Sequence, residues 1–409
     1  MLYRLKKEGF EAYLVGGCVR DMLLGREPKD FDVVTNADPE EIKKIFRNCR
    51  LIGRRFRLAH VHFGKEVIEV ATFRGKADDQ DDKQLLSKEG RLLRDNVYGT
   101  IEEDVWRRDF TVNALYYNIS DFSVVDYVGG MADHAAGVLR FIGDPTIRCK
   151  EDPVRMLRAV RFAVKLGFKI APDCQKAIFA HSSLLSSIPP ARLYDEIQKL
   201  FLTGNALQMF EMLRQYGLFQ ILFPATEKSL TEEEEGFPKL FLIKALQNSD
   251  NRIADGKTVT VYFLMAAFLW EPLQMTAKAM LKQGVPEFMA FQDAANEVIS
   301  RQVKITAMPR YITTAIRELW GLQPKFNNRV GLKPARLFEH PRFRAAYDFL
   351  LLRAETGGAV PELADWWTRY QNANEDEQRK MTQPSRNKKA GIKRNYRRTG
   401  LNKPKKTEQ

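Results

Sequence analysis

The alternation of apolar and polar positions changes character near residue 150. Before that point, short runs with strand periodicity, such as EAYLVGG (11–17) and DFDVVT (30–35), alternate with short helical segments. The run LAHVHFGKEVIEVATFR (58–74) predicts a β-hairpin that turns at Gly64-Lys65. Beyond residue 150, helix-period segments such as DPVRMLRAVRFAVKLG (152–167) dominate to about residue 370. The pattern therefore predicts an α+β chain whose mixed α/β part precedes a helical part.

This change of pattern, together with the distribution of charge, predicts three segments. They are a mixed α/β part (1–145), a helical part that runs to about residue 370 and a C-terminal tail (371–409). The chain has 409 residues and a net charge of +13, of which residues 385–409 carry +9. So basic a stretch, with few apolar residues, is expected to be disordered. It could serve as a solubilising end, but its charge density favours an arm that binds a polyanion.

Several classes of protein are disfavoured by the sequence. No run of about 18 apolar residues is present to span a membrane. The N-terminus MLYRLKKEGFEAYL lacks the apolar core of a signal peptide. The 4 cysteines are far apart and form no C-x-x-C pair, which is typical of reduced thiols. We therefore predict a cytoplasmic protein without a membrane span.

Two aspartates, Asp30 and Asp32, alternate within the predicted strand 30–35. Their carboxylates should lie on one face of the strand and repel each other. A divalent cation such as Mg²⁺ would remove that repulsion, with substrate phosphates completing its shell. The preceding Gly16-Gly17 turn would let backbone N–H groups approach a phosphate. A surface strand edge blunted by acids is the simpler alternative, but it does not account for the glycine turn.

Arginines gather in two later segments. RRDFTVNAL (107–115) places two arginines and an acid ahead of an apolar segment. EDPVRMLRAVRF (151–162) spaces three arginines at intervals of three, and Asp152 precedes Arg155 by three. On one helix, Asp152 and Arg155 could offer a donor–acceptor edge to a base while the other arginines hold phosphates. The alternative is a solvated face with salt bridges, but the interleaved apolar residues favour a half-buried helix that lines a cleft.

Four motifs together resemble the class II template-independent nucleotidyltransferases, which comprise CCA-adding tRNA nucleotidyltransferases and bacterial poly(A) polymerases. They are LVGGCVRDMLLG (14–25), KDFDVVT (29–35), RRDFTVNAL and EDPVRMLRAVRF. The resemblance covers residues 11–225. Within the family, LIGRRFRLAHVHF (51–63), LFEHPRFRAAYDFLLLRAE (337–355) and the basic C-terminus are similar to the poly(A) polymerase branch.

The resemblance implies a polymerase-β-like catalytic head (1–145) with a mixed sheet. It also implies an all-α neck (146–225) that carries the nucleotide-binding helix and an all-α RNA-binding body (226–370), followed by the basic tail (371–409). By similarity, Asp30 and Asp32 hold two Mg²⁺ ions, with Mn²⁺ as an alternative, and Asp109 is a further active-site acid. Glu69 is a candidate third metal carboxylate, although a solvent-facing acid paired with Arg74 or Lys65 is about equally plausible. The implied nucleotide contacts are Gly16, Gly17 and Arg20 to the triphosphate, Asp152 and Arg155 to the base, and Arg108, Arg158 and Arg161 to phosphates or ribose.

We therefore predict an enzyme that adds AMP from ATP to RNA 3′ ends, releases pyrophosphate and promotes RNA turnover. Its expected partners are single-stranded RNA 3′ ends of little sequence preference, ATP, and proteins of RNA degradation or RNA chaperoning. One alternative is a CCA-adding enzyme that acts on tRNA. Another is a non-catalytic basic RNA-binding protein, but the intact glycine turn, aspartate pair and arginine helix argue against it.

Overall fold

The computed structural model describes residues 1–53, 57–75, 97–231 and 240–383, together with the backbone of 84–86 and 92–95. The prediction of a disordered tail falls largely on residues 384–409, which lie outside the described residues. The chain divides into two compact units, Met1–Ile316 and Arg317–Gln409. Because this division falls within the predicted body, the boundaries at 145, 225 and 370 stay predictions.

The first unit contains all the strands of the described residues. They are β1 (Ala12–Val15), β2 (Asp32–Thr35), β3 (Cys49–Ile52), β4 (Leu58–Phe63), β5 (Glu66–Thr72), β6 (Gln84–Leu86), β7 (Leu92–Asp95), β8 (Leu115–Asn118), β9 (Val124–Asp126), β10 (Val138–Leu139) and β11 (Lys169–Ile170). Seven of them form one sheet in the order β3-β4-β5-β2-β1-β8-β9. The sheet is mixed, because β2 and β5 are parallel while the other neighbours are antiparallel.

Helices surround this sheet and make up the rest of the unit. They are α1 (Leu2–Lys7), α2 (Gly17–Leu23), α3 (Pro39–Ile45), α4 (Ile101–Arg107), α5 (Gly130–Ala136), α6 (Pro145–Glu151), α7 (Val154–Leu166), α8 (Pro172–His181), α9 (Pro190–Phe201), α10 (Ala206–Gln215), α11 (Phe219–Leu222), α12 (Pro224–Thr231), α13 (Phe241–Ala254), α14 (Val261–Phe268), α15 (Trp270–Lys282) and α16 (Glu287–Thr306). None of the helices in the described ranges is long and apolar enough to cross a membrane.

The second unit is helical in its described part. Helix α17 (Arg310–Leu322) crosses the division between the units, and α18 (Lys333–Phe338), α19 (Phe343–Glu355), α20 (Pro361–Asn372) and α21 (Glu375–Met381) follow it. Trp367 is fully buried in the core of this unit, where its ring packs against Phe326 and Phe343. Its indole N–H donates to the Phe326 carbonyl over 3.0 Å.

Local sequence signals account for the elements that carry the site. Asp38 and Glu41 form a capping box at the start of α3, where Pro39 takes the first helical position.

One face of the sheet packs on α1 and α3 through a core that includes Leu5, Ile42 and Val33. Side chains of the opposite face, such as Val34 and Tyr116, form a second core. Each face of the sheet therefore packs on an apolar core.

The predicted fold class is confirmed, and so is the hairpin, which consists of β4 and β5 around Gly64-Lys65. Two details are wrong. The strand predicted over 30–35 begins only at Asp32. The neck, predicted as all-α, contributes β11, which pairs with β10 through two residues.

Candidate functional site

Carboxylates from two parallel strands lie side by side in the sheet. Asp32 opens β2, and the register of the ladder places Glu69 of β5 directly beside it. Asp30 lies two residues earlier and is exposed. Partial desolvation, with the negative charges of Glu69 and Asp30, raises the pKa of Asp32 in spite of Arg108. Within the described residues, neither Asp30 nor Asp32 has a hydrogen-bond or salt-bridge partner for its carboxylate.

The chemistry of this donor set fits a hard divalent cation. Adjacent carboxylates that repel each other and have no salt-bridge partner among the described residues favour a metal ion whose shell is completed by substrate phosphates. No preformed group of three or more Asp, Glu, His or Cys side chains exists for a metal in the part of the chain that is described. Glu69 Oε1 instead lies 3.2 Å from His60 Nε2, without hydrogen-bond geometry. The third metal carboxylate therefore stays a prediction.

The glycine turn lies next to the carboxylates because β1 is the antiparallel neighbour of β2. Gly16 has φ 78° and ψ −129°, a conformation that only glycine adopts easily. Its N–H donates to the Leu115 carbonyl over 3.3 Å, so it is not available to a phosphate. Gly17 begins α2, where the first N–H groups lack partners within the helix. Of the two glycines, Gly17 is thus the one whose backbone can donate to an anion.

Arg108 brings a guanidinium to this turn. Its Nε donates to Asp104 and Tyr116 over 3.1 and 2.8 Å, which leaves Nη1 facing the turn. A Cβ atom on Gly16 would lie 3.6 Å from that Nη1. Burial alone would lower the pKa of Arg108, but Asp104 and Tyr116 raise it, so Arg108 stays charged. The predicted phosphate contact of Arg108 is compatible with this position.

Asp109, the predicted further active-site acid, is surrounded by hydrogen-bond donors in this structure. Its carboxylate is only 13% exposed and accepts from Arg158 Nε over 2.8 Å. It also accepts from the Phe110 N–H and from Asn113 Nδ2 over 2.9 and 3.1 Å. Burial alone would raise the pKa of Asp109, but Arg158, Asn113 and the Phe110 amide hold it below the ordinary value. The carboxylate of Asp109 therefore fixes the orientation of Arg158 in this structure, and its catalytic role stays a prediction.

Arg20 is likewise not presented to a triphosphate. Its side chain is 2% exposed. The guanidinium donates to Asn113 Oδ1 over 2.6 Å and to Asp21 Oδ1 from two nitrogens. It also lies 5.2 Å from the ring centre of Phe162. In this structure Arg20 ties α2 to Asn113, and its predicted triphosphate contact stays a prediction.

Asp152 and Arg155 were expected to pair on one helix, and this is wrong. Asp152 lies between α6 and α7 with φ −146° and ψ 93°, because Pro153 follows it and disfavours the helical conformation. Its Oδ2 accepts from Arg192 Nη2 of α9 over 2.7 Å. Arg155 Nη1 instead donates to Glu151 Oε2 over 2.8 Å. The two side chains have separate partners, and their predicted roles toward a base stay open.

The arginines of α7 surround one aromatic ring. The guanidinium carbons of Arg158 and Arg161 lie 5.4 and 4.7 Å from the Phe162 ring centre. Nε of Arg161 is buried without a hydrogen-bond partner among the described residues. Burial and the nearby Arg158 charge lower the pKa of Arg161. An anion at this position would accept a hydrogen bond from Nε and offset the repulsion between Arg161 and Arg158. Arg161 is therefore suited to the predicted phosphate or ribose contact.

Four residues that the sequence motifs did not single out complete these networks: Asp104, Asn113, Glu151 and Arg192. Asp104 precedes Arg108 by four positions in and just after α4, a spacing that could have indicated the pair. Glu151 stands directly before Asp152 in the motif EDPVRMLRAVRF. Arg192 is 40 positions from its partner, so no local pattern could have found it.

Solved structures with a similar fold define the class of protein. The Bacillus stearothermophilus CCA-adding enzyme in complex with CTP is 25% identical and has a TM-score of 0.58, over 91% of this chain and 80% of that one. A tRNA-processing enzyme in apo form I has a TM-score of 0.64 at 22% identity, over 94% and 96%. The mixed sheet with adjacent carboxylates and a glycine turn is that of a polymerase-β-like nucleotidyltransferase.

Relatives of known function narrow the class to a family. Poly(A) polymerase I of Salmonella typhi is 49% identical over 387 residues, which is 93% of this chain and 83% of that protein. The Haemophilus influenzae enzyme of the same name is 49% identical over 93% of this chain and 85% of its own length. The chain belongs to the poly(A) polymerase family of template-independent RNA nucleotidyltransferases. The prediction of a poly(A)-adding enzyme is confirmed at this level.

Family models match the chain in three parts. The poly A polymerase head domain covers residues 12–140, the probable RNA and SrmB-binding site of polymerase A covers 167–230, and the polymerase A arginine-rich C-terminus covers 283–400. The CC-adding tRNA nucleotidyltransferase of Halalkalibacterium halodurans is also similar, with 34% identity over 78% of this chain and 76% of that protein. The two branches predicted from the motifs are thus both represented among the relatives.

Proposed function

We propose that this chain extends RNA 3′ ends with AMP from ATP by in-line transfer at a two-metal site that Asp30 and Asp32 form. The observation that carries the proposal is the pair of carboxylates, Asp30 and Asp32, beside Glu69. Neither carboxylate of the pair has a salt-bridge partner among the described residues. When bound, two Mg²⁺ ions would acidify the RNA 3′-hydroxyl and neutralise the charge of the departing pyrophosphate. Glu69, the partner of Asp32 in the strand ladder, could supply a further carboxylate if it left His60.

The remaining residues bind and orient the nucleotide. The Gly17 end of α2 and Nη1 of Arg108 flank the carboxylates, so they are suited to the triphosphate. Arg158 and Arg161 offer guanidinium groups to phosphates or ribose, and Asp109 fixes the orientation of Arg158. Asp152 and Arg155 present an acceptor and a donor that match the Watson–Crick edge of adenine. Positioning and charge neutralisation supply most of the catalysis in reactions of this type.

The direct test is extension of an unstructured RNA with each nucleotide supplied separately. We expect long products with ATP and Mg²⁺ and little extension with CTP, UTP or GTP. An Asp32→Ala protein is the matched control, because it removes the carboxylate and leaves the RNA-binding surfaces intact. If wild-type protein fails to extend this RNA but completes a tRNA that lacks its CCA end, the proposal is wrong in favour of CCA addition.

CCA addition is retained as the second candidate because a CC-adding relative matches over most of the chain. Cytosine, like adenine, presents an amino donor beside a ring acceptor, so Asp152 and Arg155 do not exclude it. Transfer to tRNA would require recognition of one folded RNA by shape. The basic segment 385–409 instead favours backbone attraction to many RNAs.

We further propose that the poly(A) tail added to an RNA promotes turnover of that RNA in the cytoplasm. Residues 167–230 match a model described as a probable RNA and SrmB-binding site, which makes this neck segment the candidate contact for an RNA-chaperone protein. Deleting the gene should then lengthen the half-lives of RNAs that carry tails. Unchanged half-lives in the deletion strain would argue against the turnover role.

A further inference from the structure

Arg192 occupies an unusual position for a cation. It is the third residue of α9, a helix that begins at Pro190 and has no acidic residue in its first turn. Positive charge is disfavoured at the N-terminal end of a helix by the helix dipole. Asp152 offsets this effect, because its Oδ2 lies 2.7 Å from Arg192 Nη2. The pair therefore compensates a charge that α9 alone would not favour.

The Asp152 carboxylate is held on both sides. Its Oδ1 accepts from the Val154 N–H over 3.3 Å, at the beginning of α7, and its Oδ2 accepts from Arg192. The first bond is long, so Arg192 is the stronger of the two restraints. Arg155 does not compete for Asp152, because its Nη1 donates to Glu151 and to the Arg148 carbonyl over 2.8 and 3.0 Å.

Helix α9 is itself fixed against the arginines of α7. Glu196 follows Arg192 by four positions and therefore lies on the same helix face. Its side chain is 7% exposed and accepts from Lys199 over 2.8 Å. The Glu196 charge acts on both Arg158 and Arg161 of α7, which places this face of α9 toward α7. Arg192 thus holds Asp152 from a helix, α9, that packs against α7.

We propose that Arg192 is a positioning residue that sets nucleotide selectivity by holding Asp152 as an oriented acceptor. The inference rests on the proposed function, in which Asp152 and Arg155 contact the base. Adenine presents an amino donor and a ring acceptor to such a pair, whereas guanine presents the opposite order. If Arg192 is lost, the carboxylate can rotate, and discrimination between two purines of equal size should weaken.

The test compares kcat/KM for ATP and for GTP on an unstructured RNA in four proteins: wild type, Arg192→Ala, Arg192→Lys and Arg214→Ala. Arg214 is the matched control, because it pairs with Glu227 over 2.7 Å and is 37% exposed, against 41% for Arg192. We expect the ATP-to-GTP ratio to fall by about tenfold in Arg192→Ala, the size of a typical coupling between contacting residues. Arg192→Lys should restore most of the ratio, and Arg214→Ala should leave it unchanged.

A double variant separates positioning from general damage. Because Arg192 acts through Asp152, the ratio in Asp152→Ala/Arg192→Ala should equal that in Asp152→Ala alone. Equal losses for both nucleotides in Arg192→Ala, at an unchanged ratio, would overturn the inference, as would additive losses in the double variant. Absence of any ATP preference in the wild type would instead refute the proposed function, so the two failures are distinguishable.

Discussion

The most informative perturbation is the removal of the Asp109 carboxylate. It is 13% exposed and accepts hydrogen bonds from Arg158, Asn113 and the Phe110 amide. Breaking a fully buried ion pair costs about 3–5 kcal/mol, because the remaining charge is left uncompensated. Arg158 is 33% exposed and can be partly rehydrated. We therefore expect Asp109→Ala to lower the free energy of unfolding by about 2–3 kcal/mol.

Thermal unfolding followed by circular dichroism measures this effect. For a unit of this size, the loss corresponds to a midpoint lower by roughly 4–6 °C. ATP addition by Asp109→Ala should fall mainly through a higher KM for ATP, since Arg158 loses its orientation. Asp32→Ala is the contrasting variant, which should lose turnover without any lowering of its midpoint. If Asp109→Ala keeps its midpoint and loses turnover as completely as Asp32→Ala, Asp109 is a catalytic acid after all.

The pH dependence of unfolding checks the same pair. Burial opposes ionisation of Asp109, but Arg158 and the other donors hold its pKa below the ordinary value in the folded state. Its stabilising contribution is therefore present above the unfolded-state pKa, about 3.9, and is lost as the pH falls through the lower folded-state value. The midpoints of wild type and Asp109→Asn should differ at pH 6 and converge in acid. A difference that is constant with pH would contradict the ion-pair explanation.

Three further predictions concern the carboxylate pair, the glycine turn and the tail. Asp32→Asn should reduce AMP addition by about 10³-fold or more. Because the folded-state pKa of Asp32 is raised, this variant should also be more stable than wild type at pH 7, whereas below about pH 3.9 the two should be equally stable. Equal stability at pH 7 would contradict the repulsion between Asp32 and its neighbouring carboxylates. Gly16→Ala forces φ 78° on alanine and should cost about 1–3 kcal/mol in denaturant unfolding while raising the KM for ATP; Gly25→Ala, at φ 68° with no atom near the added Cβ, should leave that KM unchanged. Deleting 385–409 should weaken RNA binding and flatten its salt dependence by about 0.7 for each RNA phosphate that the tail neutralises, so an unchanged slope would make the tail a mere solubiliser.

Local sequence patterns predicted the elements that carry the site. Strand alternation and the Gly64-Lys65 turn located β4 and β5 to within a residue or so of their bounds. Asp38 followed by Pro39 located the start of α3. These signals succeed because a hairpin turn or a helix cap is decided by neighbours in the chain. The parallel pairing of β2 with β5, which brings Glu69 to Asp32, depends on tertiary packing instead.

The charge partners could not be predicted from spacing, because packing decides them. A three-residue interval suggested that Asp152 faces Arg155, yet each binds a different side chain. The break before Pro153 was a local signal that the interval did not lie within one helix. For Asp109, whose partner Arg158 is 49 positions away, the sequence offered no such signal. The partners of a motif acid therefore have to come from the folded structure before its role can be argued.

The pairing of these arginines bears on the need for a metal. The sequence offers many cationic groups for a triphosphate, but Asp21 and Asn113 engage Arg20, Glu151 engages Arg155 and Asp109 engages Arg158. Among the described residues, Nη1 of Arg108 lies at the glycine turn, and Nε of Arg161 is buried without a hydrogen-bond partner. The paired arginines can still contact a phosphate, but their carboxylate partners already offset part of their charge. The carboxylates of Asp30 and Asp32, which have no salt-bridge partner in the described part of the chain, add negative charge nearby, so divalent cations between them and the triphosphate would favour the binding of ATP.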